Sequence, residues 1–329
     1  MSEYTIRPYE PGDEHGILEA FNRVFAADNP NHVPRTLDEW RWAFERHPFG
    51  RRVMLALHGD RVVGQYAAIP YRTDMRGEER FFLHIVDSMM LPEHRAGYRR
   101  PGLFVHTAYK FFEEWGGADK DPIHYGMPIE KVFRLGQQFL GYEVVQTHGL
   151  LVRQMDSGPT TLPDGVERLV QYDEQARWLY DRCAGPWAVS AFRDAAFLNW
   201  RFIDHPRFDY VALGVRDSAG ILRGTAVYRT ADWIVPRMGV LCEWLVPPEE
   251  PEVGALLRQA VEALGRSEGV SAFITLFPDW SPWFRSFQEA GWRVYPSHYF
   301  MGARSFHPRV EQMWLRENWW YQLSDVDLV

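Results

Sequence analysis

LHIVDSMMLPEHRAGYRRPGLFVHTAYKFFEEW, residues 83–115, decides the fold. It opens as an apolar strand, passes through a basic loop containing glycine, and continues as an amphipathic helix. Phe104, Ala108, Phe111, Phe112 and Trp115 recur at i, i+4, i+7, i+8 and i+11, the spacing of one buried helix face. Pro101 falls where a first-turn proline is tolerated, and Gly116-Gly117 stops the run. At the turn, Arg99, Gly102 and Phe104 form Arg-x-x-Gly-x-Phe, with Arg95 and Arg100 nearby. A helix N-terminus, free backbone N–H groups and three arginines around one point suit a diphosphate.

Outward from this stretch, the expected order is a strand at Tyr4–Pro8, a helix capped by Asp13 and a helix over Leu37–Phe44. A hairpin follows over Val53–Leu57 and Val62–Pro70, turning at His58-Gly59-Asp60, and a further turn sits at Arg76-Gly77. Beyond the central helix come a short strand at Ile123–Gly126, a helix from about Glu130 to Phe139, and strands at Tyr142–Val145 and Gly149–Arg153. Ser157-Gly158-Pro159 and Pro163-Asp164-Gly165 read as a linker.

The second half repeats the first. Trp42, Phe44, His47 and Pro48 match Trp200, Phe202, His205 and Pro206 at identical spacing, and Gly141-Tyr142 is answered by Gly291-Trp292. The expected domains are therefore 1–155 and 169–329, joined by a linker at 156–168. The copies differ at the strand-to-helix turn, where the second has VPPEEPEVGAL. Glu249, Glu250 and Glu252 oppose a diphosphate there, and the prolines remove backbone donors. The His-Pro pairs occur in both copies, including the one without a basic turn, which points to a role in the fold.

These residues resemble the GNAT superfamily of acyl-CoA-dependent N-acyltransferases. Met90-Leu91-Pro92 and Arg99-Arg100-Pro101-Gly102-Leu103-Phe104 stand where that family has a strand ending near Val-x-Pro and its Gln/Arg-x-x-Gly-x-Gly/Ala loop. Phe139-Leu140-Gly141-Tyr142 is similar to the family's closing Gly-Phe. Three departures stand out: extra residues Ala96–Tyr98 in the loop, Phe104 in place of a small residue, and Gln137 where the family often has a tyrosine acid. The resemblance implies a mixed α/β (α+β) fold of two tandem GNAT-like domains, each a mostly antiparallel sheet flanked by helices, the second degenerate. It implies acetyl-CoA, or another acyl-CoA, as co-substrate, held by Met90, Leu91, Arg95, Arg99, Arg100, Gly102, Leu103 and Phe104.

Transfer from a thioester to an amine needs a base, an oxyanion donor and, at most, a weak acid for the thiolate. Asp87 and His84 are polar residues on an otherwise apolar strand, and either can serve as base, although a regular strand points them to opposite faces. The backbone near Met90 can donate to the oxyanion, and Tyr125 can protonate the thiolate. The aromatic and acidic C-terminus, with Trp320, Asp325 and Asp327, either reaches a cationic or sugar substrate or docks on the core with its acids solvated.

Apolar residues are 46% of the 329, charged residues 24% and aromatics 15%, the last promising large buried surfaces. A net charge of -8 argues against a general nucleic-acid or anionic-membrane binder. Cys183 and Cys242 stand alone, without the spacing of a zinc site or disulfide framework, and no metal ligand pattern appears among the histidines. No stretch reaches the length of a membrane span. The reading is thus a cytoplasmic monomer or homodimer that acetylates a primary amine of a small polar acceptor, such as an amino sugar. Two rivals are an aminoacyl- or longer-acyl transferase of the same fold and a non-catalytic acyl-CoA sensor.

Overall fold

The computed structural model describes residues 4–29, 32–96 and 100–327. The first half runs β1 (Tyr4–Pro8), α1 (Glu14–Asp28), α2 (Leu37–Phe44), β2 (Arg52–His58), β3 (Arg61–Met75), β4 (Glu78–Met90), α3 (Leu103–Trp115), β5 (Ile123–Gly126), α4 (Glu130–Leu135) and β6 (Glu143–Gln154). The second runs β7 (Val166–Leu169), α5 (Gln175–Ala184), β8 (Val189–Ala191), α6 (Ala195–Leu198), β9 (Val211–Arg216), β10 (Leu222–Ala231), β11 (Met238–Leu245), α7 (Pro251–Ser267), β12 (Ala272–Thr275), α8 (Pro282–Glu289), β13 (Arg293–Ser305), α9 (Gln312–Asn318) and β14 (Trp319–Trp320). The mixed α/β class expected from the sequence is the class observed.

The chain forms two compact units. One comprises residues 1–72, 79–146 and 301–314; the other comprises 73–78, 147–300 and 315–329. In the first, the strands lie in the order β1-β2-β3-β4-β5-β13, antiparallel except for the parallel pair β4 and β5. In the second the order is β6-β12-β11-β10-β9-β7, with β11 and β12 the parallel pair. The same strand pattern thus occurs twice, but the final strands are exchanged. Residues 151–154 of β6 pair with β12, and residues 302–305 of β13 pair with β5.

Contiguous domains at 1–155 and 169–329 therefore do not describe the compact units. The stretch expected as a linker belongs to the second unit. Arg266 binds the Asp156 carboxylate at 2.7 Å and the Pro159 carbonyl at 3.2 Å, and β7 starts at Val166. Proline and glycine signalled a loop there, and the loop is tied down. The two strands expected around Gly149 are one, because Gly149 sits under Val294 where a side chain would collide, rather than at a break.

Local chemistry fixes the other elements. Thr36 caps α2 in a reciprocal capping box with Glu39. Asp13 stands at the N-cap of α1, yet its carboxylate accepts from Arg7 and the Glu10 N–H instead of capping. Gly141 and Gly291 close the last helical turn of each half with φ of 68° and 92°, a region that favours glycine. His47 Nδ1 accepts the Phe49 N–H, and His205 Nδ1 accepts those of Arg207 and Phe208, so both His-Pro pairs stabilise the turn after a helix. The second unit's core is aromatic: Trp244, Phe273, Phe277, Trp283, Phe287 and Trp292 pack as one cluster. Among the described residues, no helix is long and apolar enough to cross a membrane.

Candidate active site

The β4–β5 ladder pairs Phe82 with Ile123, Leu83 with His124 and His84 with Tyr125, then ends, although β4 runs on to Met90. The strands part beyond His84. Into the gap opens a cavity of about 330 Å³, walled by Ser88, Met89 and Met90 of β4, Val24 and Phe25 of α1, and Ile129, Val132 and Leu135 around α4. Arg95, Ala96, Arg100, Gly102, Phe104 and Val105 close its other end. That end is the start of α3.

Gly102 is the N-cap of α3, and among the described residues no side chain caps the helix. The first-turn N–H groups therefore lack intrahelical acceptors, and the helix dipole adds partial positive charge. A Cβ on Gly102 would lie 2.5 Å from the Ala96 Cβ, so only glycine lets the loop close this tightly over the helix start. Arg95 Nε donates to the Met90 carbonyl at 2.8 Å, fastening the loop to the end of β4. Leu91 is buried, and its N–H donates to the Val63 carbonyl at 2.8 Å. Leu103 and Phe104 form the first helical positions, with Phe104 against the Tyr66 ring at 5.7 Å. Arg100 is exposed on the cavity wall. Arg99 lies outside the described residues.

The proposed base and acid candidates separate. His84 and Tyr125 are buried and stack at 5.0 Å with an interplanar angle of 22°, beside Tyr71. They form part of the first unit's core and do not line the cavity. Asp87 differs in backbone as well as position. Its φ of 53° lies in the left-handed region, a conformation non-glycine residues enter at a cost, most readily Asn, Asp and His. The alternation of β4 breaks there, and the Gln65 amide captures the Asp87 carbonyl at 2.9 Å. Asp87 pairs with Arg35, which lies over the Phe21 ring at 4.0 Å, and Phe21 stacks on the cavity-lining Phe25 at 4.3 Å. Ser88, next to Asp87, is itself on the wall. Asp87 therefore stands at the margin of the cavity, and His84 and Tyr125 stand behind it.

The C-terminal candidates lie in the second unit. Trp320 is buried and stacks on Trp187 at 3.8 Å. Asp325 is buried and accepts two hydrogen bonds from Arg193, at 2.9 and 2.5 Å. A tail with both acids solvated is thus not what forms: only Asp327 is exposed. The charge of Arg193 compensates for desolvating Asp325.

At the start of α7 the second unit has no basic turn. Glu250, the N-cap, is buried and held by Arg223 at 2.6 Å and by Arg182. Burial raises its pKa, but the hydrogen bonds and charges of the two arginines outweigh this and hold it below the usual glutamate value. The acidic copy carries its own anion at the helix start.

Residues 5–144 match the acetyltransferase (GNAT) domain family. The chain carries a GNAT domain. The strand-loop-helix and the parted strands described above lie within the matched residues. No curated protein matches the chain in sequence. Solved structures share its fold over nearly the whole length. A probable N-acyltransferase of unknown function from Enterococcus faecalis is 15% identical, with TM-score 0.63 over 92% of this chain and 73% of that one. A GCN5-related N-acetyltransferase from Anabaena variabilis is 13% identical, with TM-score 0.64 over 92% and 73%. Saccharomyces cerevisiae N-myristoyltransferase, solved with myristoyl-CoA bound, is 13% identical, with TM-score 0.63 over 95% and 84%.

Sequence reasoning missed Arg35, Ser88, Val24, Phe25 and the apolar face of Ile129, Val132 and Leu135. One signal was present: Arg35 and Arg193 are separated by the same 158 positions as Trp42 and Trp200.

Proposed function

We propose that the first unit transfers an acyl group, acetyl being the simplest, from acyl-CoA to a primary amine of a small polar acceptor. The observation that carries this reading is one continuous cavity joining the uncapped start of α3 to the Asp87 margin. The free N–H groups of α3, with Arg95 and Arg100, suit the diphosphate of the co-substrate. The apolar wall between β4 and α4 suits a pantetheine arm. The thioester would then lie beside Ser88–Met90, where a strand freed from its neighbour has backbone N–H groups to offer an oxyanion.

In this reading the Asp87 carboxylate takes a proton from the incoming ammonium, and the neutral amine attacks the thioester carbonyl. The C–N bond forms, the C–S bond breaks, and the second amine proton goes with the thiolate, giving an amide and free thiol. Gln137 stands exposed where a family tyrosine would serve as acid, so solvent relays that proton from the amine to the thiolate most simply.

A second reading, with a longer acyl donor, is favoured by the apolar lining of Val24, Phe25, Ile129, Val132 and Leu135. Thiol release measured across an amine panel with donors of increasing chain length tests both. A rate maximum at acetyl supports the first reading, and a maximum at longer chains supports the second. Saturable acyl-CoA binding with no thiol release across the panel would overturn both in favour of a sensor.

A further inference from the structure

The two halves share more than strands. Arg35 immediately precedes the N-cap Thr36 of α2, and Arg193 immediately precedes the N-cap Asp194 of α6. Each arginine pairs with a carboxylate on the strand that leads into the long helix: Arg35 with Asp87 on β4, and Arg193 with Glu243 on β11 at 2.8 Å. Those carboxylates are equivalent in register. Met90 lies against Gly64 in one unit and Val246 against Gly224 in the other, and Asp87 and Glu243 each stand three positions earlier. Both occupy irregular places, Asp87 through its positive φ and Glu243 at a register shift between β10 and β11. The arginine–carboxylate pair is therefore a repeated feature of the fold.

What differs is occupancy. In the second unit the guanidinium is fully buried, and a second carboxylate, from Asp325, sits across its Nη1 and Nη2 edge. The segment carrying it is clasped: Ser324 Oγ accepts from Arg193 Nη2 at 3.0 Å, and the Gln322 N–H donates to Asp325 at 2.8 Å. In the first unit the Arg35 side chain is 26% exposed and its Asp87 partner 10% exposed, beside the cavity. The same contrast holds at the helix start, where Glu250 provides an anion that the first unit leaves to the co-substrate. The second copy has filled both sites with carboxylates of its own chain.

We propose that Arg35 receives a carboxylate of the acceptor, as Arg193 receives that of Asp325, so that the first unit acylates amino carboxylates such as free amino acids. This rests on the acyl-transfer reading and narrows its acceptor. The charges complement one another: the acceptor's carboxylate meets Arg35 while its ammonium meets the other carboxylate oxygen of Asp87, its proton acceptor. An arginine fork matches a carboxylate in shape as well as charge.

The test compares each of several amino acids with its decarboxylated amine, in wild type and Arg35→Gln, by thiol release. Wild type is expected to favour the amino acid by about 10- to 100-fold in kcat/KM, the range of a charge-assisted pair. In Arg35→Gln that ratio falls toward one, whatever happens to the absolute rates, and Arg35→Lys retains part of it. A wild-type ratio near one, or a ratio unchanged by Arg35→Gln, overturns the proposal while leaving acyl transfer to amines intact. If no amine or amino acid is turned over, the acyl-transfer reading fails. Thermal stabilisation by amino acids in the presence of coenzyme A then decides the recognition proposal: stabilisation in wild type but not in Arg35→Gln upholds it, and none in wild type overturns it.

Discussion

Asp87 combines the two properties a functional residue is expected to show: a costly backbone conformation and a charged partner beside a cavity. Asparagine accepts a left-handed φ as readily as aspartate, so Asp87→Asn removes the charge and keeps the bend. It is expected to slow acyl transfer by about 100-fold or more, in the range of lost general-base catalysis, with little change in acyl-CoA affinity. Equal single-turnover rates in wild type and variant would remove Asp87 from the mechanism. His84, by contrast, stacks on Tyr125 inside the core, so His84→Gln should lower stability in a urea titration more than it lowers the rate constant at saturation. The sequence offered both residues as candidate bases because alternation along a strand was the only guide to facing. A positive φ at a non-glycine position leaves no mark in composition or periodicity, and it is what separates them.

Among elements, the segment from β4 to α3 was the most legible. Its helix ends where the paired glycines indicated, but it begins at Leu103 after an N-cap at Gly102, so Pro101 precedes the cap instead of sitting in the first turn. Gly102→Glu should abolish acyl-CoA binding, because a side chain collides with Ala96 and a carboxylate meets the helix start. Calorimetric titration with coenzyme A checks this, and unchanged affinity would detach the loop from the co-substrate. Less legible was the tail. Nothing local in Trp319–Asp325 reveals that Trp319 and Trp320 pair with Val189 and Ser190, or that an arginine 132 positions earlier awaits Asp325. Burial pushes the Glu243 carboxyl upward, and the Arg193 guanidinium is what keeps two acids tolerable in one core. Asp325→Ala leaves that guanidinium with half its compensation and is expected to cost about 3–5 kcal/mol of unfolding free energy. A variant as stable as wild type in guanidinium chloride would show that the clasp is dispensable.

For the whole molecule, the buried histidines set a response to acid. Burial depresses His47 and His124 to about 3 and His148 to about 4, well under the ordinary histidine value. The folded protein keeps these rings neutral where the unfolded chain protonates them, so the unfolded state binds more protons below about pH 6.5. Stability should therefore rise with pH through the window from about 4 to 6.5 and level off above it. Depressed acids such as Glu250 act in the same direction, losing their stabilising charge as pH falls through their lowered values. Denaturation midpoints recorded from pH 4 to 8 check the slope, and a flat profile would mean that these rings titrate normally. The duplicated plan behind this molecule was readable in the Trp-x-Phe-x-x-His-Pro spacing. The exchange of final strands was not, because each strand's own sequence is compatible with either neighbour.

That exchange has a consequence for the life of the polypeptide. The first sheet is finished only when residues 302–305 arrive against β5, more than 170 positions after that strand has been synthesised. During translation the amino-terminal half waits with an unpaired edge, an invitation to self-association that only the last part of the chain withdraws. A protease cut near Pro159 should accordingly leave two fragments that co-migrate under native conditions, and neither gene half expressed by itself should yield a well-behaved product.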